Sequence, residues 1–145
     1  MVIDEDPEPK RFQIDLFIVH PSIDPEELDA NLQIEGHFRH KAGDQRYTPL
    51  GTPLDGTFPD TRWRHTVRFE TGTNRFADQL TSFVDVMDRH RDYFAQLVKT
   101  GGSLCVILSF LGDGHFGDAI PKTTLAKISD LGVDLGIQVF TERQN

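Results

Sequence analysis

The side chains that could do chemistry are few and spread along the chain. Six histidines occur in 145 residues, and the densest stretch is "HFRHKAGD", His37 to Asp44. Two imidazoles three apart with an aspartate beyond them could supply part of a zinc site or an acid–base pair. A zinc site needs three or four converging ligands. Gly36 and Gly43 favour a strand and a turn here, and on a strand positions three apart face opposite sides. Metal binding would therefore require the sheet to bring Asp44 and His65 to the same place. Only one of His37 and His40 could then share a pocket with His65, and the plainer expectation is a polar strand end with partly exposed histidines.

A second candidate is "LGDGHFGD", with Asp113, His115 and Asp118 among glycines. It lacks the closing glutamate of a calcium loop, and it lacks the lysine and hydroxyl residue of a phosphate-cradling loop. A turn of this kind could still hold His115 and Asp113 at the mouth of a cleft. In "RWRHTVRFE" strict alternation places Trp63, His65, Val67 and Phe69 on one side, and Arg62, Arg64, Thr66 and Arg68 on the other. Trp63 and His65 are candidate pocket residues, although an interior histidine satisfied by its neighbours is the commoner outcome. Arg62, Arg64 and Arg68 form a basic stripe suited to surface recognition, or to ordinary ion pairing. The single cysteine, Cys105, sits in the apolar "SLCVILSF" and reads as a buried thiol. No G-x-S-x-G nucleophile elbow and no cofactor-binding motif occurs.

The formal charge is −8, from 23 acidic and 15 basic residues. Such acidity argues against non-specific attraction to nucleic acid or anionic membrane and would suit a basic protein partner. No apolar run approaches the roughly 20 residues of a membrane-spanning helix. The opening "MVIDEDPEPK" has no secretory-signal pattern, so the cytoplasm is the expected location.

The elements that must position these residues are legible from periodicity. Residues 1–11 read as a flexible arm, 12–140 as a single domain and 141–145 as a tail. "FQIDLFIVH" is a strand with Phe12, Ile14, Leu16 and Ile18 on one face. Asp24 caps a short helix opened by Pro25, with Glu27 at the capping-box position and Leu28 and Leu32 inward. Residues 43–61 are dense in Gly, Pro, Asp and Thr and predict an irregular excursion. One long helix is expected over 75–99, its apolar stripe interrupted only by Arg91, whose stem could cover the gap. An interior strand, a glycine-rich turn and a helix from Pro121 to Gly132 with Leu125, Ile128 and Leu131 inward come next. A last strand places Val133, Leu135, Ile137 and Val139 together. The expected fold is α+β: a mixed or mostly antiparallel sheet of five to six strands, with one long and two short helices mainly on one face.

Several phrases carry a resemblance: "IDPEELDANLQIEG", "KAGD", "RWRHTVRF", "SLCVILSF" and "IPKTTLAKISDLGVDLGIQVF". From about Phe12 to Phe140 the chain resembles an uncharacterised, largely bacterial family, domain of unknown function 4279. The resemblance implies a small α+β domain with a tryptophan in the middle strand, matched by Trp63, and a glycine turn before it, matched by Gly43. The excursion from Tyr47 to Asp60 is longer and richer in proline than the family pattern. No activity or catalytic residue comes with the resemblance.

The functional expectation is therefore a binding or protein-interaction domain without catalysis or cofactor. Its partner would be another protein or a second copy, and an immunity-type protein neutralising a basic toxin is one version. The alternative is a metal-dependent or acid–base hydrolase, in which histidine and aspartate side chains from the sheet and loops converge in one pocket.

Overall fold

A computed structural model describes residues 11–70, 72, 74–112 and 115–141. Only Arg11 of the arm and Thr141 of the tail fall within the described residues. Strand β1 (Arg11–His20) leads into helix α1 (Pro25–Leu32), then β2 (Phe38–His40), β3 (Gln45–Tyr47), β4 (Pro53–Thr57) and β5 (Thr61–Glu70). Helices α2 (Phe76–Asp88) and α3 (Arg91–Lys99) precede β6 (Ser103–Leu111), α4 (Lys122–Asp130) and β7 (Val133–Phe140). The main sheet has the order β2-β5-β1-β6-β7, and β3 pairs with β4 in a separate two-stranded sheet.

Strand β1 holds the centre because both of its faces and both of its edges are used. It pairs antiparallel with β5 and with β6 along nearly its whole length. The β6–β7 pair is parallel, as the intervening α4 requires. The register sets Phe12, Ile14, Leu16 and Ile18 beside Phe69, Val67, His65 and Trp63 on one flank, and beside Phe110, Leu108, Val106 and Leu104 on the other. These residues join Leu28, Leu32, Leu80, Val84, Met87, Phe94, Leu97 and Ile128 of the helices in one core. The helices thus cover one face of the sheet, as alternation predicts.

Four expectations need correction. The single long helix is two, so four helices are present among the described residues. Arg89 and His90 close α2 with short-range bonds to the carbonyls of Val86 and Met87, and Phe94 N–H then bonds His90 to start α3. A straight helix would have carried Arg91 toward the core; the break leaves it exposed, with Nε 3.1 Å from Asp88. The excursion at 43–61 is not irregular throughout. A turn closed by Gly51 N–H to the Thr48 carbonyl, with Gly51 at φ 90°, folds it into the β3–β4 hairpin. The hairpin has a register shift, which hides the alternation that would have disclosed it. Finally, Leu125 is not inward but 43 % exposed, and Ile137 and Val139 lie open on the same side.

Helix α1 begins where Asp24 and Pro25 place it. The Asp24 carboxylate accepts from Glu26 N–H at 3.0 Å, and Pro25 occupies the first turn.

Candidate functional site

A polar cluster built around a buried indole lies between α1 and β5. Trp63 is fully buried, so its indole N–H needs an acceptor. It donates to Asp29 Oδ1 at 2.7 Å, and Gly36 N–H donates to the same oxygen at 3.0 Å. The Arg39 guanidinium pairs with the other carboxylate oxygen. Burial raises the Asp29 pKa, but the Trp63 and Gly36 hydrogen bonds and the Arg39 charge together outweigh it and hold the carboxyl below its ordinary range. Asp29 therefore ties α1 to β5 and β2 as an acceptor whose ionised form these contacts favour. Sequence reading passed over it as one more charge on a helix; a buried tryptophan in want of an acceptor was the signal that could have found it.

The histidines are divided among separate places. His65 Nδ1–H donates to the Glu35 carbonyl at 2.7 Å, which fixes its tautomer, and His37 Nδ1 accepts from Thr66 N–H at 3.0 Å. Their rings stack at 4.9 Å, and His65 lies 6.3 Å from Trp63. His40 goes to the other side, stacked on Phe58 at 3.8 Å and 3.9 Å from Asp60. Burial, assisted by Arg62, lowers its pKa against the opposing pull of Asp60. His20 accepts from Ser22 and Ile23 N–H at Nδ1, and its Nε2 meets Thr100 Oγ1 at 2.8 Å. Among the described residues no three His, Cys, Asp or Glu side chains come together as a metal site would require.

His115 belongs to a cleft of about 230 Å³ shared with Asn74, Arg75, Phe76 and Asp118. This cleft adjoins Phe12, whereas Trp63 pairs with Ile18, six residues or roughly 20 Å away along β1. The expected pocket residues are therefore not all brought together: Trp63 sits toward one end of β1, His65 beside Leu16 at its middle, and His115 near the other end. Asp113 lies outside the described residues. Asp118 is committed to Arg75, Nη2 to Oδ1 at 2.6 Å, and accepts from Ala77 N–H at 3.3 Å in the first turn of α2. The Arg75 hydrogen bond keeps its carboxyl below the usual range.

Arg62, Arg64 and Arg68 occupy the helix-free face. Arg62 binds Asp60 at 3.0 Å, and Arg64 lies 3.9 Å from the buried Asp15 and 5.0 Å over the Phe17 ring. Arg68 is exposed. Cys105 shares this face, half-buried, and burial pushes its thiol pKa up, opposite to what an activated thiolate needs.

A larger concavity sits on the helix side at the end of the chain. This groove, of about 620 Å³, is floored by Leu108, Phe110, Ile137 and Val139 and walled by Phe116 and Leu125. Its cause is a mismatch of lengths. A nine-residue helix spans roughly 13 Å and an eight-residue strand roughly 26 Å. Helix α4, ending just before β7, covers the first half of that strand, where Val133 is buried, and leaves the second half bare. Ile137 is 62 % exposed and Val139 67 %, on a strand that is also the outer member of the sheet among the described residues; Phe140 is exposed too, on the helix-free face.

A family model described as a domain of unknown function, DUF4279, matches residues 10–141. The chain belongs to that family. Trp63 and Gly43, the positions marked by resemblance to DUF4279, are respectively the fully buried indole of β5 and a turn glycine at φ 89°. No curated protein and no solved structure matches. Among the described residues no helix of this DUF4279 chain is long and apolar enough to cross a membrane.

Proposed function

We propose that this DUF4279 chain is a cytoplasmic, non-catalytic protein-interaction domain whose contact surface is the bare half of β7 with the groove beside it. The observation that carries the reading is the concentration of exposed Ile137, Val139 and Leu125 on the helix side of a strand whose outer edge is unpaired among the described residues. Contiguous apolar surface next to an open edge is the pattern of strand addition, in which backbone bonds give affinity and alternate side chains give selectivity. The reading is also supported by the division of the titratable side chains. His37, His40 and His65 are stacked or bonded to backbone, and Asp29 and Asp118 are held by arginines. A free cysteine with a raised thiol pKa suits the reducing cytoplasm.

Photo-crosslinking inside cells that express the chain tests this. A crosslinking amino acid placed at Ile137 is expected to give adducts of discrete mass, and one placed at Arg68 on the opposite face is expected not to. Equal yields from both positions, or no adduct from position 137, would reject β7 as the contact surface.

A further inference from the structure

We infer that the partner seated on this surface is a second copy of the chain, joined β7 to β7 about a two-fold axis so that two five-stranded sheets become one sheet of ten. The inference rests on the reading of β7 as the contact surface and names its occupant.

The two edges of the sheet are not alike. Strand β2 is only three residues long, Phe38, Arg39 and His40, an edge short and charged enough to discourage pairing although Phe38 is half exposed. Strand β7 is eight residues long and stays in register with β6 from 104/133 to 111/140. It has no proline, no lysine and no bulge, and its only charge is Asp134. Apart from Asp134, the devices that usually blunt an edge are missing from it among the described residues.

The pattern of β7 is complementary to itself. In a two-fold antiparallel pair, a residue lies opposite another of the same parity, whichever residue sits on the axis. Leu135, Ile137 and Val139 of one copy therefore always oppose the same set in the other, on the helix side of the sheet. With Ile137 on the axis, Leu135 meets Val139, Gly136 meets Gln138, and Asp134 meets Phe140. The exposed wall of each groove then continues across the seam, with Leu125 of each α4 facing it. A two-fold seam also closes the assembly, whereas a head-to-tail addition would leave a free β7 edge to propagate.

Charge selects this register as well. Each copy carries −8, so self-association must keep its acids apart. With Ile137 on the axis, the two Asp134 carboxylates stand six residues apart, roughly 20 Å, against a screening length of about 8 Å at physiological salt. Moving the axis toward Gly136 or Leu135 would bring them progressively closer.

Sedimentation of the purified full-length chain, from about 1 µM to about 100 µM, tests the inference. The expected result is a species of twice the monomer mass. Ile137→Arg and Val139→Lys should each weaken it at least about 10-fold, and Arg68→Glu, at an exposed position on the helix-free face, should leave it unchanged. Both β7 positions are exposed in the monomer, so the variants should keep the circular dichroism and Trp63 fluorescence of the parent. Amides in 134–140 should also gain protection from hydrogen exchange as concentration rises. A chain that stays monomeric throughout, or a dimer indifferent to both β7 substitutions, overturns the inference. A monomer in solution that still gives position-137 adducts with a different protein would sink the second copy and keep the binding surface. A monomer with no such adduct would sink both.

Discussion

Gly36→Ala should be among the most damaging single-methyl additions in this protein. A Cβ at position 36 would lie 2.2 Å from Trp63 Nε1, 2.5 Å from Cδ1 and 2.8 Å from Cε2. Ordinary carbon contacts begin near 3.5 Å. The backbone of Gly36 is not in the left-handed region, so alanine meets no conformational penalty and the clash acts alone. Trp63 is fully buried and cannot swing out, and any retreat stretches its bond to Asp29. Overpacking a core costs about 1–3 kcal/mol. Losing a hydrogen bond to a charged acceptor costs about 1.5–3 kcal/mol. The sum, about 2.5–6 kcal/mol, is a large share of the roughly 5–15 kcal/mol that holds a domain together. Urea unfolding followed through Trp63, the single tryptophan, reads both the loss and its location. Asp29→Asn keeps an acceptor oxygen but removes the charge, so it should cost less, about 1–2 kcal/mol. A Gly36→Ala protein within about 0.5 kcal/mol of the parent, with unchanged emission, would refute the idea that Trp63 is clamped between this loop and α1.

Two further perturbations test the supports of the fold. Thr61 is fully buried, and its hydroxyl donates to the Ile23 carbonyl at 2.6 Å while accepting from Ala42 N–H at 3.0 Å. Thr61→Val keeps the shape and strands both partners, so urea titration should show a loss of about 2 kcal/mol; a change below about 0.5 kcal/mol would dismiss the bridge. Burial lowers the His20 pKa against the pull of Glu27, and its Nδ1 must stay unprotonated to accept two backbone N–H groups. The unfolded chain therefore takes the proton first, so this contribution is complete above about pH 6.5 and declines as pH falls below it. Stability measured at pH 7.5 and 5.5 should show that decline, and His20→Gln should reduce it. An equal decline in the variant would assign the effect to other groups, His40 first among them, because its pKa is lowered too.

Much of the scaffold was legible residue by residue. Asp24 and Pro25 announced α1, and the alternation of 62–69 separated Trp63 and His65 from the three arginines. The same period told His37 from His40, which lie on different sides, one against His65 and the other against Phe58. The break at Arg89 and His90 was harder to read because an apolar stripe continues across it, and its period alone does not say whether the axis bends. The hairpin at 45–57 was masked by a register shift and by proline. The Asp29 cluster escaped because its members are far apart in sequence: Asp29, Gly36, Arg39 and Trp63 meet only after β5 has paired.

Sequence by itself determined which side chains of each strand share a face and where the capped helix begins, since both follow from bonds and torsions within a few residues. It equally determined that Leu135, Ile137 and Val139 form one apolar row. Only the tertiary structure decided that half of this row lies bare. That outcome depends on β7 being the outermost strand and on α4 being about half as long as the strand beside it. Neither the neighbours of a strand nor the reach of the helix covering it is a local property of the chain.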